Sequence, residues 1–462
     1  MSRLREEKMQ EVKHTNITDF TQGSVSKHLF KFAMPLFLSS LLQVVYNMVD
    51  MIVVGQAMGK VGLSAVAIGG DVSNFLTFLA MGFCNAGQVI ISQYIGAGKK
   101  DKIGRFVSTM FSALTVCSVI LGTVCLIFRV PILHLMNTPK AAFDEALAYS
   151  SICIAGVVFI YGYNIVAAVL RGMGDSKHPF LFISLAAVLN AVLDVIFVLG
   201  FDMGAGGAAL ATVISQGVSF ICCAVFIIVK RKDFELTLKL SDFIHIDFKM
   251  LGSLVKLGVP MAIKSAAIHF SKLFVNSWIN SYGVEVSAFA GIANKINSMS
   301  NLLSNSMNTA GSSMVGQNVG AGKYERVPRI MWTLFSWVFV LASIFTAVTC
   351  LFPMQVFRIF TKDTAVLQVA LDYLPVAAFV FYGSAARSPM NALINGSGNY
   401  KVNFATAILD GIVMRIGLSV LFGLVLDMKY IGFWLGDALA GFTPLWIGLV
   451  FYFSGKWKEK TV

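Results

Sequence analysis

The chain has 462 residues, of which 56% are hydrophobic and only 13% are charged, and its formal net charge is +12. Soluble domains carry about 25% charged residues, so this composition excludes a soluble enzyme, and its apolar content excludes a disordered chain. The seven cysteines lack zinc or redox spacing, which also excludes a disulfide scaffold. The sequence therefore predicts a polytopic membrane protein.

Apolar stretches of bilayer length follow one another along the whole chain. The stretches 203–229 and 330–357 contain no charged residue, and each exceeds the ~20 residues that a helix needs to cross the hydrocarbon core. The alternation typical of barrel strands is absent, so helices must satisfy the backbone in lipid. We predict an all-α polytopic membrane protein with twelve transmembrane helices, at residues 34–54, 63–92, 106–128, 146–170, 179–200, 205–229, 257–280, 287–315, 331–352, 368–393, 402–423 and 431–454.

The basic residues are distributed unequally between the two sides of these spans. With a cytoplasmic amino terminus, the inner segments hold 25 Lys and Arg residues and the outer loops hold 6. This asymmetry follows the positive-inside rule and predicts that both termini are cytoplasmic, in the plasma or inner membrane. The net charge thus reflects topology, and we expect the lipid bilayer rather than nucleic acid as the partner.

The chain is an internal duplication. The segment 93–99, ending in Gly-Ala-Gly-Lys, recurs at 317–323 with an offset of 224, and Pro35 matches Pro260 at 225. Six spans per copy give both copies the same orientation, related by a pseudo-two-fold axis along the membrane normal. We predict a cytoplasmic amino-terminal segment 1–28, an N-lobe 29–229, a linker 230–256, a C-lobe 257–454 and a cytoplasmic tail 455–462.

Two similar lobes predict a central cleft, which is where repeat-built transporters bind their substrates. The Gly-Ala-Gly-Lys segments are not P-loops, because Gln93 and Gln317 replace the first glycine and Lys100 and Tyr324 replace Ser or Thr. They are interpreted as tight turns. Transport driven by an ion gradient is therefore expected, rather than ATP hydrolysis.

Two acidic residues lie within predicted spans of the N-lobe. Asp50 lies in the first span, Asn190 and Asp194 share a face of the fifth, and Thr212 lies in the sixth. Charges at membrane depth cost about 3 kcal/mol or more and indicate function. These oxygens suit a hard cation such as Na⁺, and a buried carboxyl pair also favours proton uptake. The alternative is that the carboxyls cap or join helices.

Polar residues also form stripes along other predicted helix faces. Gln43 and Asn47 precede Asp50 at helical spacing, and the eighth span carries a stripe of asparagines. Such stripes either join helices by hydrogen bonds or line a water-filled cleft, and the sequence leaves both readings open. The candidate cleft residues are Gln43, Asn47, Asn294, Asn297, Asn301 and Asn305.

The C-lobe carries a different set of ionisable residues. Asp410 precedes Arg415 by five residues, and we expect the two to form a structural pair. Lysines in the spans either snorkel to an interface or serve an unassigned role. The residues without an assigned role are Lys264, His269, Lys272, Lys295 and Arg387.

These motifs together resemble the multidrug and toxic compound extrusion (MATE) family, within the MOP exporter superfamily, from about residue 29 to residue 457. The resemblance implies two six-helix lobes in a V, alternating access, and export of organic cations and other drugs in exchange for Na⁺ or H⁺. The motifs that carry it are Pro35, Asp50 within Val-Asp-Met-Ile-Val-Val-Gly, the two Gly-Ala-Gly-Lys turns, Arg171-Gly-Met-Gly-Asp175 and Leu189-Asn-Ala-Val-Leu-Asp194.

The resemblance also implies a cation-coupling site in the N-lobe at Asp50, Asn190, Asp194 and Thr212, with Tyr149 as the associated fourth-span tyrosine. NorM-type members also use acidic residues in the seventh and tenth spans. Here those regions offer Ile268, His269 and Ser384 instead. Coupling is therefore expected in the N-lobe alone.

We predict a non-enzymatic, cation-coupled antiporter that exports amphipathic or cationic organic compounds. We expect no cofactor other than the coupling ion, Na⁺ or H⁺, and a monomer. One alternative is a flippase for lipid-linked sugars or lipids of the same superfold, with Lys264, Arg387 and Arg415 facing a diphosphate. A membrane-embedded transferase is disfavoured because its histidine or metal cluster is missing from the sequence.

Overall fold

The computed structural model describes residues 16–459, apart from the side chain of Leu240, and contains helices but no strand in that range. Residues 1–15 of the predicted amino-terminal segment and 460–462 of the tail lie outside it. Twelve long helices follow the predicted order. They are α1 (25–58), α2 (60–96), α3 (Asp101–Ile127), α4 (143–172), α5 (Lys177–Gly200), α6 (Gly204–Val229), α7 (Phe248–Asn280), α8 (Val284–Gly320), α9 (Val327–Leu351), α10 (Thr364–Gly396), α11 (Tyr400–Val425) and α12 (Lys429–Phe453).

The first two spans are one helical stretch, Val25–Gly96, that breaks at Gly59. An unbroken helix of its 72 residues would be about 108 Å long, several times the ~30 Å hydrocarbon core. Gly59 has φ 60° and ψ −142°, outside the helical region. It therefore allows the chain to reverse direction between α1 and α2.

Length and apolarity alone identify nine membrane-crossing helices among the described residues, and α4 adds a tenth once its two parts, bent by 47°, are joined. Counting α1 and α2 separately adds another. The twelfth helix in this count is α8. It is 37 residues long but too polar along its asparagine stripe to be identified by length and apolarity. The twelve predicted helices are thus confirmed. The first helix begins at Val25 rather than at residue 34, so Pro35 lies inside it.

The buried apolar side chains form two large clusters. One is built from residues between Val53 and Met261, and the other from residues between Val275 and Trp457. The second cluster also takes in Phe20 and the first turns of α1, including Leu29, Phe32 and Leu36. The two halves therefore have separate cores, and the start of α1 packs against the opposite half.

The repeated Gly-Ala-Gly-Lys turns lie where the two halves meet. Gly98 and Gly322 have φ of +70° and +72°, which confirms the tight turns predicted there. Gly96 and Gly320 serve a different purpose. A Cβ atom on Gly96 would lie 1.9 Å from the Gln317 carbonyl oxygen, and one on Gly320 would lie 2.3 Å from that of Gln93. Only glycine allows α2 and α8 to cross this closely.

Hydrogen bonds join the halves at the same end of the molecule. Gln88 donates through Nε2 to the Thr309 carbonyl oxygen at 3.1 Å and to Ser313 Oγ at 2.8 Å. Gln93 Nε2 donates to the Gly396 carbonyl oxygen at 2.8 Å. We call these contacts and the two glycine crossings the seal. Asp71 and Asn294, farther along α2 and α8, are exposed, so the halves are closed together at the end that carries the turns.

Residues 16–23 form a strap across the seal. Thr18 N donates to the Met173 carbonyl oxygen of the first half at 3.1 Å. Phe20 N donates to Gln317 Oε1 of the second half at 2.8 Å. Arg326 donates to the Gly23 carbonyl oxygen at 3.0 Å. The strap thus binds both halves at their closed end.

Candidate functional site

Three helices of the first half bring four of the predicted residues together. Asp50 on α1 is 3% exposed, and Asn190 and Asp194 on α5 are 2% and 0% exposed. Asn190 Nδ2 donates to Thr212 Oγ1 of α6 at 3.3 Å, and Thr212 Oγ1 donates to Asp50 Oδ2, also at 3.3 Å. The Asp194 carboxyl lies within hydrogen-bonding reach of that of Asp50. We call these four residues the acid pocket.

The acid pocket has more acceptors than donors. Asp50 Oδ1, Asn190 Oδ1 and both carboxylate oxygens of Asp194 are buried without a hydrogen-bond partner in the described part of the chain. Neither carboxyl belongs to a salt bridge among residues 16–459. Buried acceptors left unsatisfied cost free energy, and two adjacent carboxylates repel each other. The arrangement therefore favours binding of a positive species, either a proton shared by the carboxyls or a hard cation.

The local helix geometry explains why Asp194 faces the pocket. The regular part of α5 ends at Asp194 and continues as a wider π turn, Val195–Gly200. Such π segments shift the register of the residues around them and recur at functional sites. No group of three His, Cys, Asp or Glu side chains suited to a metal ion occurs in the described part of the chain. The pocket thus offers two carboxylates with neutral amide and hydroxyl oxygens.

Tyr149 lies beside the acid pocket but outside its hydrogen-bond chain. It is 6% exposed and packs on Gly69 of α2, where an added Cβ would lie 2.6 Å from Tyr149 Cδ1. Asp50 and Asp194 are both near enough to influence its hydroxyl electrostatically. Tyr149 therefore forms part of the wall of the acid pocket.

Sequence reasoning missed two residues of this site. Tyr46 on α1 and Gln216 on α6 line a narrow cavity with Asn190, Thr212 and Ser215. Tyr46 precedes Asp50 by four residues and Gln216 follows Thr212 by four. Applying the same-face rule in both directions from the predicted residues would have found them.

The polar stripes divide between two environments. Asn297 bonds with the Tyr373 hydroxyl at 3.1 Å, and Asn301 Oδ1 accepts from Ser384 at 3.2 Å. Both contacts join α8 to α10. The remaining four of the predicted cleft residues are exposed instead, so they do not join helices. These four are Gln43, Asn47, Asn294 and Asn305.

The second half buries a network of charges. Arg415 donates to Asp410 at 3.2 Å and also to Asp437 of α12. The expected Asp410–Arg415 pair is therefore confirmed, whereas Asp437 was missed in the sequence. Asp410 lies in a π turn, Leu409–Val413, and this wider turn places residues five apart on one face. Arg387 on α10 approaches Asp410 to 3.8 Å.

Two lysines within α7, Lys264 and Lys272, lie near this network of charges. Lys264 Nζ donates to Asn391 Oδ1 of α10 at 2.6 Å, so it points into the second half. Lys272 is close to Asp437 and Arg415 but has no hydrogen bond or ion pair among residues 16–459. His269 stacks on Phe78 of α2, with ring centroids 4.3 Å apart. Lys295 is exposed.

Comparisons with known proteins agree with this architecture. The MatE family profile matches residues 35–196 and again 260–421. A protein of Bacillus subtilis named probable multidrug resistance protein YpnP is 28% identical over 95% of this chain and 97% of its own length. The probable multidrug resistance protein NorM of Thermotoga maritima is 24% identical over 95% of this chain and 94% of its own length.

Solved structures share the fold. One, described as an outward-facing conformation of a multidrug resistance MATE family transporter of the MOP superfamily, matches with a TM-score of 0.85 at 23% identity, over 96% of this chain and 98% of its own. A second, from Pyrococcus furiosus, matches equally well and is described as having a binding pocket of reverse polarity. Since the family profile covers both repeats, more than half of the chain, the chain belongs to the MatE family.

Proposed function

We propose that this protein is a cation-coupled antiporter of the plasma or inner membrane that exports amphipathic or cationic organic compounds by alternating access. Na⁺ or H⁺ binds at the acid pocket, and the organic compound binds in the cleft between the lobes. The observation that carries this proposal is the pair of buried carboxyls, Asp50 and Asp194, whose unsatisfied oxygens have no basic partner.

The seal supplies the second conformational element of an antiporter. With the halves closed at the end that carries the turns, a cation reaches the acid pocket from the opposite end. Binding replaces repulsion between Asp50 and Asp194 by attraction to a shared positive species. A ligand shifts a two-state equilibrium only through its different affinity for the two states. The acid pocket provides that difference if its oxygens converge only when the seal is closed.

The energy available to such a cycle is sufficient for drug export. One positive charge moving down a 100 mV membrane potential supplies about 2.3 kcal/mol. A tenfold ion gradient adds about 1.4 kcal/mol. Together they support roughly a few hundredfold accumulation of a neutral compound per cation.

The proposal keeps the predicted arrangement of the chain in the membrane. Both termini lie in the cytoplasm, so the seal closes the cytoplasmic side and the cleft faces outward. The N-lobe is 29–229, the C-lobe is 257–454, and the protein acts as a monomer. The exposed Gln43, Asn47, Asn294 and Asn305 line the cleft.

The relatives support drug export over the flippase alternative. Those most similar in sequence include proteins named as probable multidrug resistance proteins and as the multidrug export protein MepA of staphylococci.

Dye export by purified protein in vesicles tests the proposal. Ethidium export is measured under a sodium gradient and under a pH gradient applied separately, for wild type and Asp50→Asn. Wild type should export under at least one gradient, and Asp50→Asn should not, because the neutral amide cannot balance a bound cation. The matched control is Asp427→Asn in an exposed loop, which should behave as wild type. Gradient-driven export by Asp50→Asn at the wild-type rate would refute the mechanism.

A further inference from the structure

The charged side chains that gather within the second half are not balanced in sign. Four basic side chains and two acidic ones gather between α7, α10, α11 and α12, leaving a formal excess of two positive charges. We call this set the basic pocket. Its members are Lys264, Lys272, Arg387, Asp410, Arg415 and Asp437.

Both carboxylates contact the same cation, although Asp410 Oδ2 has no hydrogen-bond partner among the described residues. Arg415 is 1% exposed and contacts both Asp410 and Asp437. Asp410 and Asp437 together carry two negative charges, which balance Arg415 and one further basic residue. Two of the other three basic residues are then left without an acidic counterpart in the set. This buried triad accounts for folding stability but not for the excess charge.

The other three basic groups have incomplete partners. Arg387 comes no closer to a carboxylate than 3.8 Å, and its buried Nε has no hydrogen-bond partner. Lys264 bonds only with the neutral amide of Asn391. Lys272 has no hydrogen bond or ion pair within the described residues. A charged group at membrane depth costs about 3 kcal/mol or more, so three such groups call for an anion.

The basic pocket lies beside a contact between the two halves. Two residues before Lys264, Ala262 meets Gly82 of α2, where an added Cβ would lie 2.5 Å from Ala262 N. Lys264 therefore lies next to the point where the two halves cross. On its other side, Ser384 and Ser388 of α10 bond to the polar stripe of α8 at Asn301 and Ser304. The Arg387 side chain is 17% exposed.

Two members of the basic pocket occupy the repeat positions of two members of the acid pocket. At the offset of 225 set by Pro35 and Pro260, Asn190 corresponds to Arg415, and Thr212 corresponds to Asp437. Both pairs are in contact, one by a hydrogen bond and the other by a salt bridge. Each lobe therefore has a pocket between its fifth and sixth helices, and the two pockets have opposite charge.

We propose that the basic pocket binds an acidic group, a carboxylate or phosphate, of an amphipathic compound in the cleft, through Lys264 and Arg387 with Lys272 nearby. This rests on the proposed export function and names a substrate class for it. Guanidinium and ammonium groups with free donors are the usual partners of such acids. Binding would satisfy the free Arg387 donor and offset the excess charge, while the acid pocket holds the coupling cation.

Equilibrium binding to full-length protein in nanodiscs of neutral phosphatidylcholine tests the proposal apart from transport. The acidic probe is carboxyfluorescein, followed by fluorescence polarisation, and the cationic probe is ethidium. Wild type should bind carboxyfluorescein, and Arg387→Gln and Lys264→Gln should each bind it about tenfold or more weakly, as expected for the loss of one charged hydrogen bond. Ethidium binding should be unchanged. Arg387→Lys keeps the positive charge and should retain most of the affinity for carboxyfluorescein. It therefore separates loss of the charge in Arg387→Gln from a folding defect caused by any change at this position.

The matched control is Lys295→Gln, which removes an exposed lysine of α8 and should leave both probes unaffected. Discs that contain phosphatidic acid identify the source of the acidic group. If carboxyfluorescein binding is lost in these nanodiscs, a lipid headgroup competes for the basic pocket and is the source of the acidic group. If binding is unchanged, the acidic group belongs to a free solute. Both results support the proposal. Equal carboxyfluorescein binding by wild type and Arg387→Gln, or none by wild type, overturns it. If ethidium is still exported in that case, the proposed function survives.

Discussion

The two lobes place different chemistry at equivalent positions. In the first, α5 and α6 meet through Asn190 and Thr212, and two carboxyls have no basic side-chain partner within residues 16–459. In the second, α11 and α12 meet through Arg415 and Asp437, and basic groups remain without enough anions. Gene duplication preserved the helices, including a π turn at the end of α5 and of α11. The comparison teaches that the repeat fixes where a pocket forms, whereas individual substitutions determine its charge.

The largest expected effect comes from Asp194→Asn. The change keeps the shape of the side chain but removes one of the two charges that attract the coupling cation, so gradient-driven ethidium export should be abolished while the protein still reaches the membrane. Initial export rates and protein content of the same vesicles are the measurements. The equivalent position of the other lobe is Ser419, which bonds to the Phe433 carbonyl oxygen. Ser419→Ala is the matched control and should leave cation-coupled export intact. Export by Asp194→Asn at the wild-type rate would mean that coupling does not depend on the acid pocket of the first lobe.

Stability should respond in opposite directions in the two lobes. Arg415→Met leaves Asp410 and Asp437 buried without their shared cation, so it should destabilise the protein by about 3–5 kcal/mol, as other broken buried ion pairs do. Asp194→Asn removes an unpaired charge and should raise the thermal unfolding temperature when Na⁺ is absent. Thermal unfolding of purified protein in detergent at neutral pH checks both. Equal destabilisation by the two variants would show that the acid pocket is a structural network.

A symmetrical effect is expected where the lobes cross. Gly96→Ala and Gly320→Ala each place a methyl group against a carbonyl oxygen of the other lobe, so both should open the seal. Ser313, which is fully buried beside it, can report this after replacement by cysteine in a protein lacking the exposed Cys350. Labelling by a water-soluble thiol reagent should be about tenfold faster in both glycine variants, for a shift of about 1.4 kcal/mol. If only one variant changes, the two crossings are not equivalent.

The smallest effect is expected at Thr212. Thr212→Ala removes the hydroxyl that links Asn190 to Asp50 but leaves both carboxyls. The loss of one hydrogen bond of about 1 kcal/mol should weaken the binding of the activating cation about fivefold. The half-maximal cation concentration for ethidium export measures this, and Thr212→Ser should restore it. An unchanged value would remove Thr212 from the site.

Much of this fold follows directly from the sequence. The repeat offset and the apolar stretches predict twelve helices, because each span must satisfy its own backbone in lipid. The residues of the acid pocket also follow, since Asn190 and Asp194 share a helix face and charge in a membrane must point inward. Regular helical spacing was sufficient for these residues.

The rest depends on departures from regular helices and on packing between them. The polar face read from Gln43 and Asn47 to Asp50 is not uniform, because only Asp50 turns into the pocket while the other two are exposed. Asp437 lies near Arg415 only because α11 and α12 pack together. The close crossings at Gly96 and Gly320 involve atoms of the opposite lobe, which no local pattern specifies.

The strap gives the amino end of the chain a part in the transport cycle. Residues 16–23 bind both halves at once through backbone groups, including Thr18 N to Met173 and Phe20 N to Gln317. If the seal opens during export, the hydrogen bonds from residues 16–23 to one of the two halves must break. The same bonds must form again when the seal closes after each turnover. Residues 16–23 therefore couple the two halves at their closed end, so any separation of the halves there must first break the contacts of this short segment.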